Sequence, residues 1–141
     1  MVLEIVDTVY LVAYLRRSDP LHSEAISLIN SLGAGRRVSQ AALLELDLLM
    51  KSRGFSAVER MKTWVLLGKV IPAEAVEPLL PPDFAASSLL INRYSLDYFD
   101  ALIAAQCILR RARPVTTDSA ILSAVKSTDP RDVEEELRKL L

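Results

Sequence analysis

Residues 2–8, Val-Leu-Glu-Ile-Val-Asp-Thr, decide the fold. Val2, Leu3, Ile5 and Val6 form a short, β-branched-rich run without the clean alternation of a half-exposed strand, the pattern of a strand buried on both faces of a parallel sheet. The run stops at Asp7, a carboxylate directly at a buried strand's carboxyl end, where open parallel sheets bind ligands. The apolar stretch continues to Leu15, but Glu4 and Asp7 interrupt it and no basic region precedes it, so it reads as core rather than as a leader or membrane segment.

Working outward, Tyr10 to Arg17 reads as a helix, and Asp19-Pro20 as the cap and first turn of a second helix ending at Leu32, before Gly33 and Gly35. A brief strand at Arg37-Val38 leads to Ser39, which caps a helix through Lys51 that Gly54 terminates. Ser56 and Glu59 make a capping box for a helix that Gly68 is expected to close, with Val70-Ile71 as a third strand. Pro78, Pro81 and Pro82 mark a connector before a helix around 84–94, and a longer helix spans about 98–112. Pro114 to Thr116 reads as a strand, and Asp118 opens a helix containing Ile121, Ala124 and Val125.

Strands alternating with helices imply an α/β fold in three layers, a central parallel sheet of about four to five short strands flanked by helices. The 141 residues, 51% of them hydrophobic, suit one domain over 1–141, with 129–141 as a C-terminal amphipathic helix that docks Val133, Leu137, Leu140 and Leu141.

With 17 basic against 18 acidic residues, no overall positive field announces a polyanion; any nucleic acid must be held by a local patch or through metal. Cys107 and His22 are the single cysteine and the single histidine, which removes disulfide frameworks and Cys/His zinc sites and fits cytoplasmic surroundings. The glycines form neither a dinucleotide fingerprint nor a phosphate loop.

The acids carry the chemistry. Asp118 lies just past the strand at Val115, and the helix from Tyr98 runs antiparallel to that strand, which brings Asp100 toward Asp118. Glu45 lies in the second turn of its helix with Ala41, Ala42, Leu48 and Leu49 around it, an apolar setting that costs a lone carboxylate several kcal/mol unless a cation compensates. Four converging acids with few basic partners call for a hard divalent ion, Mg2+ or Mn2+, and such ions serve phosphodiester hydrolysis. Taken singly, Asp118 and Asp97 also read as helix caps and Asp100 as a first-turn acid favoured by the helix dipole. Arg93, just before the acidic motif, is a candidate phosphate contact, and Met61, Trp64, Val65 and Leu67 read as core in preference to part of a dimer surface.

Four segments, VLEIVDTVYLVAYL, VSQAALLEL, YSLDYFDALIAA and RPVTTDSAIL, in this order and spacing, resemble the PIN domain, and most closely the VapC-like toxins of toxin–antitoxin pairs. The resemblance covers the chain to about Val125. It implies a metal-dependent endoribonuclease with Asp7, Glu45, Asp100 and Asp118 as catalytic acids, Asp7, Asp100 and Asp118 as metal ligands, and Thr8 and Thr116 as supporting hydroxyls. It also implies an RNA substrate, a cognate antitoxin and a homodimer; a noncatalytic PIN-fold module binding RNA or protein is the alternative. Two departures stand out. Members usually end on a short extra strand where this chain has a charged helix, and Asp97 stands where a small polar residue is common, so that Asp97 competes with Asp100 for the third position. Asp100, which shares a face with Ile103, Ala104 and Cys107, is favoured.

Overall fold

The computed structural model describes residues 2–141. Its order is β1 (Glu4–Val6), α1 (Thr8–Leu15), α2 (His22–Asn30), β2 (Arg36–Ser39), α3 (Gln40–Ser52), α4 (Ala57–Val70), a 3-10 turn (Ala73–Ala75), β3 (Val76–Glu77), α5 (Pro81–Tyr94), α6 (Tyr98–Arg110), β4 (Arg113–Val115), α7 (Ser119–Ser127) and α8 (Pro130–Arg138). The four strands form one sheet in the order β3-β2-β1-β4, every pair parallel. From β1 the chain moves outward through β2 to β3, then returns to lay β4 on the other side of β1. The order therefore reverses between β1 and β4, and Asp7 and Thr116 follow those two strands at the crevice where such sheets bind ligands.

Ile5, Val6 and Val38 are fully buried, as the apolar run of β1 requires. The sheet packs on α6, whose residues Ala101 to Ile108 are buried without interruption. Its alanines at 101, 104 and 105 let neighbouring backbones come close. Caps foreseen from sequence form: Ser39 Oγ accepts from the Ala41 amide, Ser56 and Glu59 close a reciprocal box, and Asp118 caps α7; Asp129 likewise caps α8. Gly54 follows α3 at φ +84°, a conformation that favours glycine.

Five local expectations are corrected. Gly68 does not close α4, which continues to Val70; a helical glycine costs about 1 kcal/mol relative to alanine, and packing absorbs it. Val70 and Ile71 are accordingly the end and cap of that helix, and the third strand is Val76–Glu77. Helix α2 begins at His22, because Asp19 instead accepts from the Leu21 amide at 2.9 Å within a turn. On α4, Leu67 is buried, but Met61 and Val65 face solvent, each 65% exposed. The tail helix docks through Val133 and Leu137, whereas Leu140 is 80% exposed. Among the described residues no helix is long and apolar enough to cross a membrane.

Candidate metal centre

Asp7 is held by β1 and by the start of α1. Its Oδ1 accepts from the Thr8 amide at 2.6 Å and its Oδ2 from the Thr116 hydroxyl at 2.6 Å, while its own amide donates to the Val115 carbonyl at 3.0 Å. The carboxylate is thus fixed from both strands of the switch point and is only 4% exposed. The Thr116 hydroxyl also accepts from the Asp118 amide at 2.9 Å, which shapes the turn after β4.

Ser39 directs α3 so that Glu45, in its second turn, reaches the same crevice, where Oε1 accepts from the Thr8 hydroxyl. Of its four expected apolar neighbours, Ala41 and Ala42 are buried and Leu48 is 53% exposed, so Glu45 sits half-buried at the border of the core. Asp100 enters from the first turn of α6, and Asp97 caps that helix by accepting the Asp100 amide at 2.9 Å. Ligand oxygens of Asp7, Glu45 and Asp100 all lie within 4.8 Å of one another.

Among the described residues no lysine, arginine or histidine forms a salt bridge with any of these three acids. The consequences for protonation follow. Burial pushes Asp100 up to about 8, with the neighbouring Asp97, Asp118 and Asp7 adding to the effect. Burial also raises Asp7 and Glu45, against the opposing hydrogen bonds from Thr116 and Thr8. Three oxygen ligands in mutual repulsion, with no cation to relieve them, fit a hard divalent ion of the Mg2+ or Mn2+ kind.

Asp118 stands apart from this close trio. Its Oδ1 accepts from the Ala120 and Ile121 amides at 2.8 and 3.1 Å, as a cap, yet its charge contributes to raising all three acids. Asp97 is likewise a cap. Arg93 is engaged by Glu136 of α8, and Arg111 and Arg113 by Glu134 and Glu4. Cys107 is buried and its thiol pushed up to about 12, which keeps it inert, and His22 Nδ1 lies 2.7 Å from the Ala13 carbonyl. Two further polar residues tie elements of the fold together. Asp47, half-buried, ties α3 to α4 by accepting from Arg60 and from the Trp64 indole. Gln106 is fully buried; its signal was a lone amide inside the apolar helix ALIAAQCIL.

The PIN domain family model matches residues 5–127. No match was found among curated protein sequences. Solved structures with the same fold include the Sarcin-Ricin loop-cleaving toxin VapC20 of Mycobacterium tuberculosis, with a TM-score of 0.63, 21% identity, and coverage of 86% of this chain and 94% of that one. VapBC2 of Rickettsia felis, solved on a promoter DNA fragment, gives 0.64 at 13% identity over 90% and 96%. FitAcB of Neisseria gonorrhoeae gives 0.64 at 16% identity over 88% and 94%. The family match over most of the chain, on a sheet whose switch point gathers these acids, establishes that the protein belongs to the PIN-domain family.

Proposed function

We propose that the protein is a metal-dependent endoribonuclease and the toxin of a toxin–antitoxin pair. The observation that carries the reading is the convergence of Asp7, Glu45 and Asp100 without a basic partner. Asp7, Glu45 and Asp100 would hold the ion, with Asp118, whose charge acts on all three, beside them. Bound there, Mg2+ or Mn2+ supplies neutralisation of the scissile phosphate and activation of water toward phosphorus.

The chain's own residues prepare that site. Thr116 and the Thr8 amide lock both oxygens of Asp7, and the Thr8 hydroxyl locks one oxygen of Glu45, so neither acid reorganises when charge arrives. Asp100, protonated below about 8 in the absence of a cation, gives up its proton as the ion enters. No histidine base is needed, in keeping with the single, distant-bonded His22.

The toxin reading draws support from the fold shared with VapC20, VapBC2 and FitAcB. It also draws on a groove of about 240 Å3 between α1, α3 and α4, lined by Val12, Leu15, Leu46, Met50 and Phe55 and flanked by Arg16 and Arg53. Apolar walls with two arginines suit a partner segment of apolar and acidic residues. The test is cleavage of a mixed structured and single-stranded RNA pool with Mg2+, Mn2+ or EDTA, beside Asp7→Asn and Asp100→Asn. Metal-dependent cutting lost in both variants supports the nuclease; cutting that survives EDTA or either substitution rejects it. Suppression of that cutting by the product of an adjacent short reading frame would support the toxin assignment.

A further inference from the structure

Gln106 leads back to the metal centre. Its side chain is fully buried and every polar atom on it is used. Oε1 accepts from the Ser39 hydroxyl at 2.5 Å, and Nε2 donates to the carbonyls of Glu77 and Pro78 at 3.2 and 3.1 Å. Ser39, also fully buried, is the cap of α3. The amide therefore joins three elements, α6, the start of α3 and the connector after β3.

Six residues separate Ser39 from Glu45 along α3, and six separate Asp100 from Gln106 along α6. The helices therefore meet at two rungs in opposite chain order, Ser39 with Gln106 and Glu45 with Asp100, about 9 Å apart at 1.5 Å of rise per residue. Between the rungs lie Ala41, Ala42, Ile103 and Ala104, all fully buried. Apolar contacts among small side chains hold helices close but specify sliding poorly. The directional element along this interface is the Ser39–Gln106 bond. A slip of one residue moves Glu45 past Asp100 by about 1.5 Å, comparable with a metal–oxygen bond of about 2 Å.

We infer that Gln106 is a positioning residue: through Ser39 it fixes the register of α3 on α6 and so sets the Glu45–Asp100 spacing that the ion requires. The inference rests on the metal-centre reading above. It is tested by measuring Mn2+ affinity calorimetrically, without RNA, for the wild type, Gln106→Met, Ser39→Ala and the double variant, at a temperature where circular dichroism shows each folded. Arg110→Met is the control, because Arg110 lies on the same helix and binds Asp83, Glu77 and the Pro78 carbonyl but makes no hydrogen bond or ion pair with α3.

The expected result is a loss of Mn2+ affinity of roughly tenfold or more in each single variant. The double variant should be no weaker than the weaker single, since both remove one strut. Arg110→Met should lower the melting temperature while leaving Mn2+ affinity within about twofold. Wild-type affinity in Gln106→Met and Ser39→Ala, whatever their melting temperatures, overturns the inference and leaves the metal centre standing. A wild-type protein that binds no Mn2+ overturns both, and that result is seen before any variant is read.

Discussion

Glu4 and Asp7, three residues apart, stand at opposite ends of β1 and meet opposite fates. Glu4, near the amino end of the sheet, is clasped by Arg36 and Arg113, one from each neighbouring strand, at 2.7 and 2.8 Å. Asp7, at the carboxyl end, has a hydroxyl and an amide but no cation. The same contrast recurs deeper in the molecule. Asp83 is 1% exposed and forms a paired contact with Arg110, and Glu77 lies between Arg37 and Arg110. Asp7, Glu45 and Asp100 repel one another. Burial alone does not mark an acid as functional; burial without a countercharge does, because the missing charge must come from outside the chain.

The contrast breaks if the paired acids prove dispensable. Asp83→Ala removes the paired partner of Arg110 and leaves it only the longer contact with Glu77, and should cost about 3 kcal/mol of stability in denaturant titration. The unpaired acids should behave in reverse. Asp7→Asn is expected to reduce RNA cleavage by about a hundredfold or more while leaving the metal-free protein as stable as the wild type or more so, since a strained charge is removed. An Asp7→Asn protein that is both active and unstable would place Asp7 with Glu4 rather than against it.

The pH dependence of the metal-free protein sharpens the same point. The folded value of Asp100, about 8, lies above its ordinary 3.8, so the folded state binds the proton more tightly than the unfolded one. Its favourable contribution is complete below 3.8 and is lost as pH rises through about 8. The melting temperature should therefore fall between about pH 4 and about pH 8, Mn2+ should restore it most at the alkaline end, and Asp100→Asn should flatten the profile. A profile unchanged in Asp100→Asn would remove Asp100 as its cause. The smallest effect is expected from Glu4→Gln: its partners are 33% and 68% exposed, and the loss should be about 1 kcal/mol, diminishing in high salt.

What the sequence made legible was whatever is local. The apolar run before Asp7, the serine caps at 39 and 56 and the unbroken apolar face of α6 each carry their signal within a few residues, and each took its expected form. β3 escaped because two residues, one of them Glu77, show no periodicity. Gly68 misled because its propensity cost is small beside the packing of Leu67. At the site, the acids and their convergence were readable, but which of them lie closest together was not. Whether Glu45 or Asp118 sits nearer Asp7 depends on how α3 lies across β1, a distance no spacing encodes. The structure brings in Glu45 through Thr8 and leaves Asp118 capping α7.

The hydrogen bond from Thr116 to Asp7 closes the site across 109 residues of chain. During synthesis, at about 5–20 residues per second, β1 emerges before β4 and stays an edge until β4 arrives to pair with it. A chain halted anywhere before Thr116 has the first acid and lacks the hydroxyl that orients it. Completion of the acid cluster thus waits until Thr116 has left the ribosome, and a nascent chain still lacking it, surrounded by RNA, is an unfinished one.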